Sequence, residues 1–525
     1  MIRSYSNLIL SVRRVTQENQ GKKTAGVDNQ TTITPIERVN LVNEMRQYSL
    51  WKVGPTKRVY IPKSNGKRRP LGIPTIKDRV AQAIIKNALE PSWEARFEAN
   101  SYGFRPGRNC QDAIAQAHSR LNKQGGDKWV LDADIRGAFD NISHEFILKA
   151  IGQTPGRELI KQWLKAGYVE AEVLHETQSG TPQGGIISPL LANIALNGME
   201  DVLAQYTRTK VYEYQKPNKV IRQKIKLPIY GFIRYADDFI VTAESKEDIE
   251  AIVPILESWL KERGLELNQE KTNITRVEDG FNFLGFHIRQ FKGKCITKPQ
   301  KDKLLEKLGE IKTWLNKNPN TQPENVIAQL NPIIKGWGNY YRHGASKKTF
   351  SYFDYRVWRM LWNWSRKRHT GKKTKSKGKK WILRKYFKPH GGITRVFTAK
   401  TLDRRGKERN LVIGRLAEIP ITRYVKIKGK SSPDDPTLTE YWKNRQTTSG
   451  KTYWTKGSKM YKVASNQDWK CPVCGEHLFN GEKLHTHHII RVKDGGTDGE
   501  NNLIHLHQAC HYDVHAGKSS KKQKA

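Results

Sequence analysis

Two adjacent carboxylates, Asp237 and Asp238, interrupt an otherwise apolar segment, residues 231–243, which reads GFIRYADDFIVTA. β-favouring residues flank the pair on both sides, which predicts a hairpin whose tight turn carries the acids. Neighbouring carboxylates in such a place repel each other and lose hydration, and a divalent cation removes both problems. A second acid, Asp134, ends an apolar strand in WVLDADIRGAFDNI, residues 129–142. Any one of these acids alone reads as a solvated turn residue. Three from two separated strands are the set that two-metal phosphoryl transfer requires, one ion at the attacking oxygen and one at the leaving oxygen.

A chain of 525 residues exceeds the roughly 250–300 residues over which one core grows, so several domains are expected. Lys and Arg number 93 against 51 Asp and Glu, a formal charge of +42. Self-repulsion of that size opposes compaction unless a polyanion neutralises it, so nucleic acid is the expected partner. A membrane surface is the weaker alternative, since no apolar run approaches the roughly 20 residues of a spanning helix. The apolar centre of MIRSYSNLILSVRR is too short for a signal peptide, and the chain reads as cytoplasmic. An odd count of five cysteines argues against a disulfide framework.

Along the chain, a strand at 59–61, a turn at 64–67 containing Asn65-Gly66 and the segment RRPLGIP predict a hairpin. A helix is expected at 75–90, with Val80, Ile84 and Ala88 on one face and Pro91 just past its end. A Gly-rich loop, SGTPQGG at 179–185, precedes an apolar helix starting near Ser188-Pro189, and another helix is expected at 249–263. Strands and helices mix without a regular βαβ rhythm, which reads as α+β. After Cys295 the pattern turns helical: Leu304, Leu308, Ile311 and Leu315 recur at helix spacing. A run dense in aromatics follows, in which Trp358 and Trp362, one turn apart, read as core rather than nucleobase platforms. Residues 366–380 carry nine bases and no acid, and beside this helical unit they read as a phosphate-binding arm. SSPDDP at 431–436 looks like a boundary.

In this order the motifs resemble the reverse transcriptases of bacterial group II introns. The resemblance implies a right-hand polymerase, with fingers and palm at 1–292, an α-helical thumb or maturase region at 293–365, a basic DNA-binding segment at 366–460 and a small zinc-stapled ββα-metal HNH domain at 461–525. It implies that Asp134, Asp237 and Asp238 hold Mg²⁺, with Asp132 and Asp140 structural. Phe139 matches the gate that excludes a ribose 2′-hydroxyl, and Lys63 and Arg69 the contacts to the incoming triphosphate. Gln183 matches a contact to the template–nascent pair, and Lys271 a lysine that assists the leaving pyrophosphate. FNFLGF at 281–286 resembles the hairpin that grips the primer end, and GWGNYYRHG at 336–344 a stretch that binds intron RNA. Family members carry a helical segment ahead of the stretch matching Arg13-Arg14-Val15-Thr16; here that stretch lies almost at the start, so either the true start lies upstream or a reduced grip on template RNA is expected.

Near the C-terminus, Cys471 and Cys474 with His507 and Cys510 have the paired spacing of a structural zinc site. His477 and His485 are alternatives for the fourth ligand. Between the pairs, His487-His488, Asn501-Asn502 and His511 form an HNH nuclease signature. The resemblance makes His488 the general base, His487 and His511 the ligands of a Mg²⁺ at the scissile phosphate, Asn502 the residue that orients His488, and His515 an extra ligand. A zinc ribbon that merely binds DNA leaves these histidines unexplained.

The expected protein is therefore multifunctional: it binds intron RNA and assists splicing, nicks target DNA, and copies RNA from dNTPs. The alternatives are a non-catalytic RNA-binding maturase, which predicts lost metal ligands, and a reverse transcriptase of a defence or diversity system, which accounts for neither the HNH tail nor the thumb. If the +42 charge serves RNA, affinity should fall steeply with salt, with a log–log slope of about −0.7 per phosphate contacted on single strands. A flat salt titration would contradict that assignment.

Overall fold

The strands Gly231–Tyr235 and Asp238–Ala243 are mostly apolar and almost completely buried by packing on both faces, and Val130, Leu131 and Ala133 of Trp129–Asp134 are buried with them. They lie in one antiparallel sheet ordered Asn273–Arg276, Trp129–Asp134, Asp238–Ala243, Gly231–Tyr235. In this computed structural model all residues are described except 48–51, 63–65, 67, 123–125, 217–218, 370–377, 403–407, 455 and 517–525. The chain forms two compact units, Met1–Lys430 and Ser431–Ala525. Among the described residues, no helix is long and apolar enough to cross a membrane.

In the first unit, helix Lys246–Lys261 lays Ile249, Ile252, Leu256 and Leu260, all fully buried, against this sheet. It begins earlier than expected because the Ser245 hydroxyl caps it, accepting from the Asp248 amide. Helix Ile76–Glu94 runs past Pro91 rather than stopping before it. The proline deletes one amide donor, but burial of Leu89 and Trp93 carries the helix through another turn. A second sheet, ordered Arg68–Ile73, Thr56–Pro62, Tyr168–Glu170, Val173–His175, contains the expected first hairpin; Ser64, Asn65 and Lys67 of its turn lie outside the described residues.

The loop at 179–185 is fastened between these sheets. Gly180 N donates to Ile142 O at 2.8 Å and Thr181 N to Phe139 O at 2.6 Å, while Gly72 N donates to Gln183 O at 2.7 Å. Gly180, at φ +84°, lies so close to Asp140 that a Cβ there would sit 2.5 Å from its carbonyl oxygen.

Beyond it, Leu304, Leu308, Ile311 and Leu315 are buried along helix Lys301–Lys317. Helix Pro323–Tyr341 packs Tyr341 on Phe286 (centroids 4.9 Å apart) and stacks Trp337 on Phe353 (5.2 Å). Trp358 and Trp362 lie parallel on helix Lys347–Lys367, half-buried against Phe387. The basic arm at 366–380 falls largely outside the described residues. After it come a helix, Gly378–Tyr386, and a three-stranded sheet of Phe387–His390, Ile393–Leu402 and Glu408–Val412, in which Phe397 is fully buried.

The second unit starts at Ser431, at the SSPDDP stretch read as a boundary, and helix Thr439–Tyr453 packs into it: Thr447 Oγ1 lies 2.8 Å from His477 Nε2. Its core is Ala464, Trp469, Leu478 and Leu506, beside a hairpin of Leu484–His488 and Leu503–His507 and the helix Gln508–His515.

The pairing of Tyr235 with Asp238 leaves a two-residue turn, Ala236-Asp237. Ala236 has φ 59°, a conformation that residues with a Cβ rarely adopt. Gly103 lies under it; a Cβ there would meet Ala236 N at 2.3 Å. Gly103→Ala should therefore destabilise the first unit by about 1–3 kcal/mol, read as a lower denaturation midpoint. An unchanged midpoint would mean that the turn does not rest on residue 103.

Candidate functional site

Antiparallel register sets Asp134 directly opposite Asp238, and Asp237 occupies the adjoining turn, so the three acids from two separated segments meet at one end of the central sheet. Asp132 shares the face of Asp134 by the alternation of the strand. The electrostatic conflict is plain. Burial first, then the charge of Asp134, raises the pKa of Asp237, and Arg69 and Lys271 offset part of this. Asp238 keeps exposed surface. Even so, partial desolvation of its carboxylate, followed by the charges of Asp237 and Asp134, pushes it up to about 7. Burial and Asp134 push Asp132 up to about 7 as well. Lys271 answers part of this charge, its Nζ lying 2.6 Å from Asp134 Oδ2, and Asn268 Nδ2 donates to the same oxygen at 3.1 Å.

Beside the acids runs a polar chain. Arg69 Nε donates to Gln183 Oε1 at 2.9 Å, and Gln183 Nε2 donates to Asp140 Oδ2 at 3.0 Å. Asp140, read from sequence as structural, is thus the residue that orients the Gln183 amide. Phe139 is 8% exposed and meets the ring of Phe104 edge-on at 6.0 Å. Lys63 lies outside the described residues.

In the second unit, ligand atoms of Cys471, Cys474, His507 and Cys510 lie within 4.8 Å of one another. His507 turns Nδ1 to Cys474 Sγ at 3.3 Å and Nε2 to the His477 carbonyl at 3.2 Å, which fixes the ring for coordination through Nδ1. Burial raises the Cys471 thiol, but hydrogen bonds from His507 and the backbone outweigh it and bring the thiol down to about 6, favouring the thiolate a metal needs. His477 lies outside this cluster: one ring nitrogen faces Thr447 and the other accepts from Phe479 N. His485 packs instead against His511 (4.9 Å).

A second cluster brings His487, His511 and His515 together, again within 4.8 Å. Burial and neighbouring histidines lower the pKa of His487 and His511, which favours the neutral imidazoles that bind metal. His511 Nδ1 is buried with no hydrogen-bond partner. His488 contacts Asp498, Nε2 to Oδ1 at 2.9 Å. Asn502 makes no hydrogen bond to His488; its side chain pins the following loop, bonding Ile490 N and O and the Thr497 carbonyl at 2.8–2.9 Å. Any orienting effect of Asn502 on His488 therefore passes through that loop.

Known protein families match in the same order. Residues 1–45 match the N-terminal domain of reverse transcriptase, 61–288 the reverse transcriptase (RNA-dependent DNA polymerase), 306–387 the group II intron maturase-specific domain and 471–517 the HNH endonuclease. Protein YkfC of Escherichia coli K12 is 36% identical over 301 residues, covering 52% of this chain and 78% of that one. The group II intron-encoded protein LtrA of Lactococcus lactis is 29% identical over 415 residues, 64% of this chain and 69% of LtrA. This chain belongs to the group II intron-encoded reverse transcriptases. A putative COX1/OXI3 intron 1 protein of Saccharomyces cerevisiae is 30% identical over 332 residues, 55% of this chain and 39% of that protein.

As a group II intron-encoded protein it combines reverse transcriptase, maturase and HNH endonuclease domains on an α+β polymerase fold, and both of its enzymatic families depend on metal ions.

Three residues that no motif singles out support these sites. Arg234 has no exposed surface, and its Nη1 donates to Ala236 O and Asn193 Oδ1, each at 3.2 Å. Glu98 Oε2 lies 3.8 Å from Arg234 Nη2. Asp498 holds His488. The signals were a charge inside the buried strand GFIRY, which demands a partner, and an acid in the loop after the HNH histidines.

The raised acids give a pH dependence of definite sign. Asp238 folds with a pKa of about 7, above the ordinary value of about 3.9. Its contribution to stability is present at low pH and lost as pH rises through 7. Without divalent cations the first unit should melt lower at pH 8 than at pH 6, and an added divalent cation should raise the melting temperature more at pH 8. Asp238→Asn should shrink both differences. Equal cation effects at the two pH values in the parent chain would refute the coupling.

Proposed function

We propose that the first unit copies intron RNA into DNA, and that the second nicks target DNA to expose the 3′ end from which copying starts. The observation that carries the reading is the register that sets Asp134 against Asp238 beside Asp237. Raised carboxylates crowded around one lysine suit divalent ions. Asp134, Asp237 and Asp238 would hold Mg²⁺, whose chemistry is to steady charge on the attacking and leaving oxygens.

The chain's own residues supply the rest. Arg69, already oriented by Gln183, pairs its planar fork with triphosphate oxygens. Gln183, held by Asp140, lies against the template–nascent pair. The Phe139 ring collides with a ribose 2′-oxygen and so admits deoxynucleotides. Lys271 leaves Asp134 for the departing pyrophosphate. Residues 1–292 then form fingers and palm, 293–365 the thumb that grips intron RNA and assists its splicing, and 366–460 the basic DNA-binding segment.

In the second unit, Cys471, Cys474, His507 and Cys510 suit a structural Zn²⁺, because thiolates with one imidazole are its preferred donors. His487 and His511, with His515 Nε2 3.3 Å from His511 Nε2, would hold Mg²⁺, which would supply charge stabilisation at the scissile phosphate. His488, held by Asp498, takes the proton of the attacking water. These partners (intron RNA, target DNA and dNTPs) put the work in the bacterial cytoplasm, and on the nucleoid when DNA is the target.

The test is primer extension on an RNA template with dNTPs and Mg²⁺. Asp237→Ala should reduce synthesis to background while RNA binding stays largely intact, and His488→Ala should stop nicking but spare synthesis. Synthesis that persists in Asp237→Ala would remove the acids from the reaction.

A further inference from the structure

The loop that joins helix Ile76–Glu94 to helix Cys110–Leu121 touches both the acidic turn and the ring of Phe139. Gly103 lies against Ala236 of the turn. Phe104, the next residue, meets Phe139 edge-on, with ring centroids 6.0 Å apart and planes at 84°. Tyr102 and Arg105 on either side are buried, whereas Phe104 is 49% exposed. One exposed aromatic ring needs no explanation by itself.

The backbone beneath it does need one. Phe104 has φ 57°, in the left-handed region that bulky residues avoid. The flanking chain holds it there. Arg105 is buried in a fork with Glu94, Nε to Oε1 at 3.0 Å and Nη2 to Oε2 at 2.9 Å. Its Nη1 donates to the carbonyls of Glu98 and Ser101 at 2.6 and 2.8 Å. On the other side, Tyr102 N donates to Arg234 O and Asn193 Nδ2 to Gly103 O, each at 2.9 Å. A strained residue that its surroundings over-determine in this way points to a task at the site, and the ring that Phe104 touches is Phe139.

Phe139 has use for a support. It sits on a one-turn helix, Ala138–Asn141, entered through Gly137 at φ 52°. Its carbonyl accepts from Thr181 N at 2.6 Å, which ties down its backbone, but a ring still turns about its side-chain bonds. A gate excludes a 2′-hydroxyl only while it cannot swing away from the sugar.

We propose that Phe104 is a positioning residue for the gate: its ring blocks Phe139 from swinging aside and so helps set the preference for deoxyribonucleotides. The proposal rests on the reading of Phe139 as the ring that meets a ribose 2′-oxygen. Gly103 supports the acidic turn and Phe104 the gate, so one pinned loop fixes where the sugar is tested relative to where the acids act.

The full chain extends a DNA primer on an RNA template by one nucleotide, with dATP or, separately, ATP opposite the same uridine, and kcat/KM is measured for each. Phe104→Leu should raise the ATP-to-dATP ratio of kcat/KM by roughly two- to tenfold, the worth of one edge-to-face ring pair. The rise should come from faster use of ATP, whereas a merely loosened fold slows both nucleotides together. Phe104→Tyr keeps the ring and should keep the parent ratio. Phe104→Asn loses the ring but suits the left-handed backbone, so it should relax the ratio without lowering the denaturation midpoint. With Phe139→Ala already in place, Phe104→Leu should change the ratio no further. A further rise there would mean that Phe104 meets the nucleotide itself, and would overturn the positioning role. An unchanged ratio in Phe104→Leu beside a relaxed one in Phe139→Ala would overturn the proposal and leave the gate standing. Unchanged ratios in both would remove the gate and the proposal with it, while extension with dATP by the parent chain keeps the polymerase reading.

Discussion

A guanidinium with no access to water lies beneath the acidic turn, and the geometry of the polymerase site follows from how it is satisfied. Arg234 donates to the Ala236 carbonyl, so the turn cannot move without breaking a charge-assisted bond in the protein interior. Burial lowers its pKa to about 10, which still leaves it cationic at neutral pH. A buried charge is tolerated only when neighbours answer it. Glu98 does so, and the same carboxylate accepts from the Gly198 and Glu200 amides at 2.8 and 2.7 Å. Glu200 in turn accepts from Asn100 Nδ2 at 2.6 Å, and Asn100 O accepts from Arg234 N at 2.9 Å. The hydrogen bonds of these two side chains run through Arg234 Nη1 and Glu98 Oε1, while Arg234 Nε and Nη2 and Glu98 Oε2 are buried without a hydrogen bond. Replacing such a pair by apolar groups is often neutral, whereas losing one member costs about 3–5 kcal/mol; its value here is positional.

The two units meet the need for a cation with different donors. The first crowds hard carboxylate oxygens, several with raised pKa values, around Lys271, whose ammonium neutralises Asp134 while no metal is bound. The second offers three cysteine sulfurs with one imidazole at one cluster and three imidazoles at the other. Oxygen donors suit magnesium-like ions, and cysteine sulfur joined by an imidazole suits zinc. The donor sets of the two units therefore differ in kind.

The sequence made the acid cluster legible because strand alternation and the turn fix which carboxylates meet, and the family resemblance supplied the surrounding roles. The thumb helix was legible for a similar reason: Leu304, Leu308, Ile311 and Leu315 declare its buried face. Long-range partners were not legible. Glu98 lies far from Arg234 in sequence and carries no local signal. The link from Asp140 to Gln183 depends on a loop whose path only packing determines. Pro91 looked like a helix stop, yet tertiary burial overrode local propensity. The sheet at 387–412 went unseen because basic and apolar residues alternate there as they do in a solvated basic segment.

The cysteine–histidine cluster has a topological consequence. Cys474 and His507 stand 33 positions apart, and the span between them contains His487, His488 and Asn502. In an unfolded chain that span is a wandering loop whose closure opposes folding by an entropy that grows slowly with its length. A metal bound at both ends closes the loop once, and the nuclease residues are then brought to their places from a much smaller set of conformations. With a metal at that cluster, placement of His487, His488 and Asn502 would depend on the free concentration of that metal, while the acid cluster at Asp134, Asp237 and Asp238, built in the other unit, would escape that control.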